Sequence, residues 1–317
     1  MNPVPVLLDC DPGHDDAIAI LLALGSPAID LLGITTTFGN CPVDQATYNA
    51  QRILALAQRP DVPIAAGAAG PLTGEAHIGD FIHGRTGIDG PDLPAPLAPP
   101  VRLGAVEFLR TSLLDAPDPV TLVATGPMTN VGMLLRDHPD VGPKIAEIVF
   151  MGGSTERGNT TPAAEFNAYA DPDALDLVLT SGLPVRMVGL NLSHQALATP
   201  DVVERMRAMD HAVGRACADL MGFFGGTYSE VFDFAAPPVH DPCTIAALID
   251  PGLITWRRSY VAVETEGRGT RGATVVDLHG RLDEPANADV ALTIDAPGYW
   301  DLVLAALDRV GSQPAER

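Results

Sequence analysis

Basic residues are scarce in this 317-residue chain, which has 19 Lys and Arg against 40 Asp and Glu and a formal net charge of −21. An acidic surface of this kind repels phosphate backbones and anionic lipids, so neither nucleic acid nor a membrane surface is expected as a partner. Lys144 is the only lysine. Schiff-base chemistry, or a lysine that clamps a phosphate, would have to use that one residue.

Cysteine and long apolar runs are also sparse. The chain has four dispersed cysteines without a CxxC pair: Cys10, Cys41, Cys217 and Cys243. Reduced thiols in a cytoplasmic protein are therefore expected. Residues 1–8 and 17–24 form apolar runs too short for a secretory leader or a membrane span, so neither is expected.

Short runs of Val, Ile and Leu recur along the chain, separated by longer amphipathic stretches. This alternation predicts an α/β fold with a mostly parallel central sheet flanked by helices. The predicted strands of the first half are residues 4–9, 31–37, 62–65, 120–124, 145–151 and 185–189. The predicted helices between them are residues 15–24, 43–57, 104–114, 128–137 and 173–180.

The pattern changes after Thr199. We expect a long helix over residues 200–225 and then a loop rich in Phe, Ala and Pro as far as Val239, which suits a lid or a substrate wall. Late strands are predicted at residues 259–264, 273–278 and 290–294, and a closing helix at 298–310. The proline-rich stretch 90–100 is interpreted as a surface connection, because the βα alternation resumes beyond it, so one domain over residues 1–317 is expected.

The segment VLLDCDPGHDDA (6–17) leads an apolar strand into four carboxylates. Alternation places Asp9 and Asp11 on one side at the carboxyl end of the strand, and Asp15 and Asp16 at the start of the next helix. The helix dipole favours each of these charges by about 0.3 to 1 kcal/mol, which is too little to offset their mutual repulsion. Either some are protonated or a cation is bound, and oxygen ligands suit Ca²⁺ or Mg²⁺ better than zinc. The alternative is that two cap a helix and two pair with arginines.

A second acidic segment, His240-Asp241-Pro242-Cys243, precedes an apolar helical stretch at 244–249. A histidine beside an aspartate can supply an acid near neutral pH together with an oxygen ligand. A helix-capping Asp241 with a packed His240 explains the pair equally well.

The segment MGGSTERGNTTPAAEFN (151–167) presents Asn159, Glu165 and Asn167 in a predicted loop. Amides and a carboxylate without basic partners suit sugar hydroxyls rather than a phosphate, although ordinary loop chemistry also explains them. The turns Thr125-Gly126-Pro127 and Phe38-Gly39-Asn40 follow predicted strands and can contribute to the same crevice.

Seven motifs in order resemble the nucleoside hydrolases, the calcium-dependent nucleoside N-ribohydrolases of the inosine-uridine-preferring and pyrimidine-specific type. They are DCDPGHDDA, TTTFGN, IHGRTGIDG, ATGPMTN, FMGG, GNTTPAAEFN and PVHDPC. The resemblance covers essentially the whole chain. It implies a Rossmann-like core and hydrolysis of the N-glycosidic bond of ribonucleosides to ribose and free base. It also implies a cytoplasmic homotetramer or dimer that acts in nucleoside catabolism and salvage.

The same resemblance implies roles for individual residues. The calcium ligands would be Asp11, Asp16, the Thr125 main-chain carbonyl and Asp241. The 2′ and 3′ hydroxyls of ribose would be held by Asp15, Asn167 and Asp241. The 5′ hydroxyl would be held by Asn159 and Glu165, with Asn40 supporting the sugar pocket. Asp11 would activate water, His240 would protonate the leaving base, and His83 would lie near the base. Candidates for stacking on the base are Phe166, Phe224, Tyr228 and Phe232.

This chain departs from the family pattern at several positions. Arg85 and Thr86 stand in HGRTG where members often read HGESG, and Asn191 stands where many carry Asp. Phe224 occupies a place where purine-accepting relatives can use Tyr. The general similarity, with His14 inside the signature, favours pyrimidine nucleosides, while the role of His14 stays open.

Two other functions are compatible with parts of the sequence. A haloacid-dehalogenase-like phosphatase also uses a DxD motif after its first strand, but Pro12-Gly13 and the position of Lys144 disfavour it. A calcium-dependent nucleoside or sugar binder without turnover is the second alternative. The presence of both Asp11 and His240 argues against it.

Overall fold

The computed structural model describes residues 2–312, and its described strands form one nine-stranded sheet in the order β3-β2-β1-β4-β5-β6-β9-β7-β8. The strands are β1 (Val4–Cys10), β2 (Ile29–Thr36), β3 (Ile64–Ala66), β4 (Val120–Ala124), β5 (Ile145–Met151), β6 (Val185–Val188), β7 (Ile254–Val263), β8 (Thr274–Asp277) and β9 (Ala288–Ile294). Strands β1 to β6 and β9 run parallel, whereas β7 is antiparallel to both of its neighbours. The predicted α/β fold with a mostly parallel sheet is confirmed.

Helices cover both faces of the sheet. Those of the described residues are α1 (His14–Gly25), α2 (Val43–Leu56), α3 (Asp80–His83), α4 (Ala105–Asp115), α5 (Thr129–Asp137), α6 (Phe166–Ala170), α7 (Pro172–Leu179), α8 (Leu190–Ser193), α9 (Pro200–Arg207), α10 (Ala212–Phe232), α11 (Pro242–Ile249) and α12 (Ala296–Gly311). Two 3₁₀ turns lie at Pro139–Lys144 and Pro251–Leu253. Within residues 2–312, none of the helices has both the length and the apolar character needed to span a membrane.

Two apolar layers enclose the sheet. The side chains of β1 alternate between them, since Val6 and Leu8 join the layer under α1, α10, α11 and α12, and Leu7 joins the layer under α4, α5 and α7. Because both faces of β1 are buried, its sequence reads as a nearly continuous hydrophobic run. The four cysteines are buried and free.

The strand order reverses between β1 and β4. The chain adds β2 and β3 on one side of β1 and then crosses back to add β4, β5 and β6 on the other. At such a switch point the connections leave in opposite directions, so a crevice opens at the carboxyl ends of the two strands. Asp11 follows β1 and Thr125 follows β4, and the topology therefore brings them together at this crevice.

The predicted helix over residues 200–225 is wrong in two respects. The region contains two helices, because the His211 side chain accepts a hydrogen bond from the Gly214 main-chain nitrogen at 3.1 Å and begins α10 anew. The predicted loop after residue 225 is also wrong, since α10 continues to Phe232. Glycine costs a helix about 1 kcal/mol, but buried Phe224 and Tyr228 pack into the core on either side of Gly225-Gly226 and offset that cost.

Short helices also replace parts of predicted loops. Phe166 and Asn167 lie on α6 and not in a loop, because the Glu165 carboxylate accepts hydrogen bonds from the main-chain nitrogens of Asn167 and Ala168 and caps that helix. In the late sheet, β7 begins at Ile254, earlier than the predicted residue 259. Ile254 is buried, but residues 255–258 are exposed or only partly buried, so the apolar signal at the start of this strand is weak.

Two glycine-to-alanine variants test the packing of the helices. A Cβ at Gly25, the last residue of α1, would lie 2.2 Å from the main-chain oxygen of Ala306 in α12. We expect Gly25→Ala to lower the free energy of unfolding by about 1 to 3 kcal/mol through overpacking. A Cβ at Gly222 in α10 would meet no described atom within 4 Å, so Gly222→Ala should raise the free energy of unfolding by up to about 1 kcal/mol. Urea titration measures the free energy of unfolding of both variants, and equal effects would contradict the α1–α12 contact.

Candidate active site

The turn between β1 and α1 positions the first acidic residues. Pro12 and Gly13 redirect the chain, and α1 then begins at His14 with Asp15 and Asp16 in its first turn. The Asp16 carboxylate accepts a hydrogen bond from the Gly13 main-chain nitrogen at 2.8 Å. A Cβ at Gly13 would lie 2.5 Å from Nδ1 of His83, so glycine permits that ring to approach the main chain.

Asp11 lies at the bottom of the crevice between two glycine turns. Its Oδ2 accepts a hydrogen bond from the Asn40 main-chain nitrogen at 2.7 Å, whereas its buried Oδ1 has no partner among the described residues. A Cβ at Gly39 would lie 1.9 Å from Oδ2, and one at Gly126 would lie 2.7 Å from Oδ1. The glycines thus let two loops enclose this carboxylate. An unpartnered buried carboxylate oxygen is a group that a cation or a water can satisfy.

Asp15, Asp16 and Asp241 form a compact buried group. One ligand oxygen from each lies within 4.8 Å of the other two, so the three can hold a metal ion together. Asp16 is fixed by Thr125 Oγ1 at 2.7 Å and by Asn40 Nδ2 at 3.0 Å. Asp241 precedes α11, but its side chain makes no capping hydrogen bond, so the interpretation of Asp241 as a simple helix cap is not supported. Asp11 lies outside this group of three.

The electrostatics of the group follow from burial. Desolvation raises the pKa of Asp11 and Asp241 well above the ordinary value, and repulsion from neighbouring carboxylates raises both further. Burial also raises the pKa of Asp15 to about 7. Without a cation the carboxylates therefore keep protons at pH values where an ordinary carboxyl group is ionised. An all-oxygen donor set with this surplus of negative charge fits a hard divalent cation, which would replace those protons.

Asp9 is a separate buried acid beneath the group. It pairs with none of the described arginines: its Oδ1 accepts hydrogen bonds from Thr35 Oγ1 at 2.6 Å and Asn130 Nδ2 at 2.7 Å. Burial nevertheless raises its pKa to about 7. The alternative in which the strand acids pair with arginines is therefore wrong for Asp9.

Amide and carboxylate groups form the wall opposite the acidic group. Asn167 donates from Nδ2 to the Thr125 carbonyl at 2.7 Å, which leaves its Oδ1 available to a ligand hydroxyl. Asn159 accepts from the Phe166 main-chain nitrogen at 2.9 Å through Oδ1, which leaves its Nδ2 available. Glu165 accepts from the Gly153 main-chain nitrogen at 2.8 Å and also caps α6, so it has a structural role beside any contact with a ligand.

His240 is the centre of a hydrogen-bonded chain of side chains. Its Nδ1 lies 2.7 Å from Ser193 Oγ and its Nε2 lies 2.7 Å from the Tyr228 hydroxyl. Burial lowers the pKa of His240 to about 3, and burial together with nearby carboxylates raises the pKa of Tyr228 well above 10. At neutral pH the imidazole is therefore uncharged and the phenol keeps its proton.

These groups face one cleft of about 530 Å³, counted out to its open mouth. Of the predicted site residues, the lining includes Asp15, Asn40, His83, Thr125, Asn159, Glu165, Phe166, Asn167, Tyr228, Phe232, His240 and Asp241. Asp11 and Asp16 lie buried beneath the lining. Phe224 does not line the cleft, because its ring is buried against His14 and His83.

Sequence reasoning missed Phe81, which lines the cleft and is 54% exposed. The only signal for Phe81 in the sequence is its place two positions before His83 of the IHG motif. Its exposure depends on the short helix α3, and the sequence has no apolar periodicity that predicts this helix. Met151 is predicted only as part of a strand, yet it is the last residue of β5 and also lines the cleft.

Two departures from the family pattern have local structural explanations. Asn191 accepts from the Thr155 main-chain nitrogen at 3.3 Å and donates to the Ala291 carbonyl at 2.9 Å, and an aspartate could not make the second bond. The Thr86 hydroxyl donates to the Asp89 carboxylate, as do the main-chain nitrogens of Arg85 and Thr86, so the loop after His83 is closed on itself. Nothing in the structure explains the Arg85 side chain.

Comparisons with known proteins agree with this geometry. The profile of the family described as "Inosine-uridine preferring nucleoside hydrolase" matches residues 6–301. A pyrimidine-specific ribonucleoside hydrolase RihA from Shewanella woodyi is 46% identical over 305 residues, 96% of this chain and 98% of that protein. RihA from Shigella boydii is 47% identical over 301 residues, covering 95% and 97%. The solved purine-preferring ribonucleoside hydrolase from Gardnerella vaginalis superposes with a TM-score of 0.91 at 32% identity, covering 97% and 99%.

The raised pKa values predict how stability depends on pH. Asp9 and Asp15 have folded-state pKa values near 7 against an ordinary value of 3.8, so their protonated forms stabilise the fold below pH 3.8 and this contribution is lost as pH rises through 7. Buried His14, His194 and His240, whose pKa values burial lowers to about 4, 4 and 3, oppose this in the total stability, because they lose stability as pH falls below 6.5. The cation isolates the carboxylates, so CaCl₂ should raise the melting temperature more at pH 8 than at pH 5. Thermal melts with EDTA or CaCl₂ measure this, and an equal rise at both pH values would contradict it.

Proposed function

The chain belongs to the inosine-uridine preferring nucleoside hydrolase family, and from that premise we propose that it hydrolyses ribonucleosides in a calcium-dependent reaction, with a preference for pyrimidine nucleosides. One observation carries the proposal. A buried carboxylate group lies across a cleft from hydroxyl-binding amides, and no lysine or arginine is among the described residues that line this cleft. Such a site suits a cation and an uncharged sugar, and it offers no clamp for a phosphate.

We propose Asp11, Asp16, Asp241 and the Thr125 carbonyl as the calcium ligands. Asp16 and Asp241 belong to the compact group, and the unpartnered Oδ1 of Asp11 needs a partner. When bound, the cation supplies positive charge that acidifies water at this site. Asp11 is also proposed as the general base that accepts the proton of the attacking water, because Oδ1 has two lone pairs and no described protein group uses either of them.

Ribose is proposed to bind with its vicinal hydroxyls towards the acidic group. Asp15, Asp241 and the free Oδ1 of Asn167 accept hydrogen bonds from the 2′ and 3′ hydroxyls. Asn159 and Glu165 hold the 5′ hydroxyl at the other end of the sugar. The surrounding carboxylates stabilise positive charge that develops on the ribosyl group as the glycosidic bond breaks.

The leaving base is proposed to receive its proton from the Tyr228 hydroxyl, with His240 behind it. The hydroxyl lies 2.7 Å from Nε2 of His240, and Tyr228 lines the cleft. With its single proton on Nε2, the imidazole donates to the phenol oxygen, which directs the phenol proton to the base and stabilises the phenolate that is left. The phenolate regains a proton from water when the base leaves the cleft. The depressed pKa of His240 excludes an imidazolium held ready at neutral pH. The role of acid is thereby shared between the two residues, with His240 acting through Tyr228.

The preference for pyrimidines is supported by similarity. The relatives named as pyrimidine-specific are 46% and 47% identical to this chain, whereas the purine-preferring neighbour from Gardnerella vaginalis is 32% identical. We also propose a cytoplasmic homotetramer or homodimer that acts in nucleoside catabolism, and sedimentation analysis measures the oligomer.

The phosphatase alternative is disfavoured by the position of the lysine. Lys144 precedes β5 at the amino edge of the sheet and donates to the Ala116 carbonyl at 2.8 Å. The acidic group lies at the opposite, carboxyl edge. A binder without turnover is disfavoured because the base Asp11 and the Tyr228–His240 pair are both in place.

A ribose-release assay tests the function. With CaCl₂ present, the purified protein should release ribose from uridine and cytidine with a higher kcat/KM than from inosine or adenosine. Asp11→Asn should lower kcat by about 10³-fold or more through loss of the base and a ligand. Asp30→Asn, the same change at the exposed amino edge of β2, should leave kcat unchanged. Absence of ribose release from all four nucleosides would refute the proposal.

A double-mutant cycle tests the shared acid. Tyr228→Phe and His240→Ala should each lower kcat for uridine by about 100-fold, and the double variant should be no slower than either, because the two act as one unit. A riboside with a nitrophenolate leaving group needs no proton and should be hydrolysed at nearly the rate of the unaltered protein. Additive losses with uridine, or equal losses with both substrates, would show that the pair has another role.

A further inference from the structure

A second cavity adjoins the cleft and differs from it in charge. This annex has a volume of about 480 Å³, counted out to its open mouth, and is lined by the side chains of Arg157, Asn159, His194, Tyr228, Phe232 and Phe234. The two cavities meet at three of these side chains, Asn159, Tyr228 and Phe232, which line both. Carboxylates are numerous in the cleft, whereas the described lining of the annex has one cationic side chain and no acidic one.

The cation of the annex is Arg157, and it is available to a ligand. The residue is exposed, and in the part of the chain that the structure describes its guanidinium has no partner in a hydrogen bond or an ion pair. A guanidinium presents five N–H donors in a planar fork that matches the oxygens of a phosphate or a carboxylate. An anion in the annex would therefore meet a cation that no described acid already pairs with.

His194 adds a hydrogen-bonding group without adding charge. Its ring packs edge-on against Phe234, with centroids 5.1 Å apart, and it makes no hydrogen bond with the side chains or main chain of residues 2–312. Burial and the neighbouring charge of Arg157 lower the pKa of His194 to about 4. The imidazole is thus uncharged at neutral pH and offers one N–H donor to the annex.

The annex lies at the 5′ end of the proposed ribose site. Asn159, which is proposed to hold the 5′ hydroxyl, borders both cavities, and so does Tyr228, the proposed proton donor to the base. In a β-ribonucleoside the base and C5′ project from one face of the furanose ring, and the 2′ and 3′ hydroxyls project from the other. With the vicinal hydroxyls towards the acidic group, a substituent on the 5′ oxygen therefore extends past Asn159 into the annex.

One carboxylate of the cleft lies along this path, and main-chain donors offset its charge. Glu165 accepts hydrogen bonds from the main-chain nitrogens of Gly153 at 2.8 Å, Asn167 at 2.9 Å and Ala168 at 3.0 Å. Both of its oxygens are engaged in these contacts. Three N–H dipoles directed at one carboxylate weaken its repulsion of an anion that passes it.

We propose that the annex binds an anionic group carried on the 5′ carbon of a ribonucleoside, with Arg157 as the cation and His194 as an uncharged donor. Nucleoside 5′-monophosphates are then ligands of this protein beside unsubstituted nucleosides. The cleft itself has no lysine or arginine among its described lining residues, so the charge of such a ligand is recognised outside the cleft. The placement of the ribose rests on the proposed function, whereas the affinity of the annex for an anion is measured without turnover.

Competition with uridine hydrolysis tests the annex. The inhibition constant Ki is measured for uridine 5′-monophosphate and for 5′-O-methyluridine, whose 5′ substituent is uncharged. The preference for the monophosphate, which is the ratio of the second Ki to the first, should fall by about fivefold in Arg157→Leu, the upper range for an exposed ion pair. Arg157→Lys keeps the charge and should keep most of this preference.

Arg102→Leu is the matched control, because Arg102 is also exposed and lines neither cavity, and it should leave the preference unchanged. A preference unaltered in Arg157→Leu would overturn the proposal. So would a monophosphate that fails to compete with uridine in the unaltered protein.

Calorimetry with uridine 5′-monophosphate in the presence of CaCl₂ separates the two ways of failing. If no nucleoside is hydrolysed, the proposed function fails, and the dissociation constants of the unaltered protein and of Arg157→Leu still decide the annex. Weaker binding to Arg157→Leu would support the proposal. Equally tight binding to both proteins would place the phosphate elsewhere, for example at the calcium ion, and would overturn it.

Discussion

The crowding of buried carboxylates at the end of β1 is the constraint on which the rest of the site depends. Asp15, Asp16 and Asp241 place oxygens within 4.8 Å of one another, and Asp11 lies beside them without a basic partner in the part of the chain that the structure describes. Such a group is stable only when protons or a cation neutralise it. No described basic side chain neutralises these carboxylates. The acidic group therefore attracts a divalent cation strongly, and it lies where the sheet opens a crevice.

Neutral hydrogen-bonding groups, and not counter-charges, hold these acids in place. Asn40 contacts both Asp11 and Asp16, and Thr125 donates to Asp16. Asn49 joins two loops around the site in the same way, because its amide donates to the carbonyls of Pro12 at 3.0 Å and Thr86 at 2.8 Å. The signature turn and the loop after His83 are thus fixed to one buried side chain. Because amides orient carboxylates without cancelling their charge, the attraction for the cation survives folding.

The sequence allowed the local elements around the site to be predicted, because their signals are local. The apolar run before Asp9, the turn at Pro12-Gly13 and the acids that follow indicate a strand, a turn and a helix start, and the structure has all three. The parallel sheet likewise follows from alternating apolar runs. Asp241 lies more than two hundred residues from Asp15, and their proximity was implied by family resemblance and not by any period or spacing.

The remaining features depended on tertiary contacts. The continuation of α10 through Gly225-Gly226 results from core packing of Phe224 and Tyr228, which outweighs the low helix propensity of glycine. That continuation sets Tyr228 opposite His240. It also puts Phe224 against His14, outside the lining of the cleft. A ring that the family resemblance placed among the candidates for stacking on the base is therefore used to bury a histidine.

The two histidines at the cleft gain opposite properties from similar burial. His240 has a hydroxyl at each nitrogen, Ser193 Oγ and the Tyr228 hydroxyl, and each hydroxyl can donate or accept. Either tautomer of His240 is therefore compatible with its partners, and the one with a proton on Nε2 donates to Tyr228, as the proposed acid requires. His14 has the Asp89 carbonyl at Nε2, and because a carbonyl only accepts, that nitrogen carries a proton. Hydroxyl partners thus leave the proton position of one imidazole adjustable, whereas a carbonyl partner fixes a proton on the other, so the same residue type supports an acid in one place and buried packing in the other.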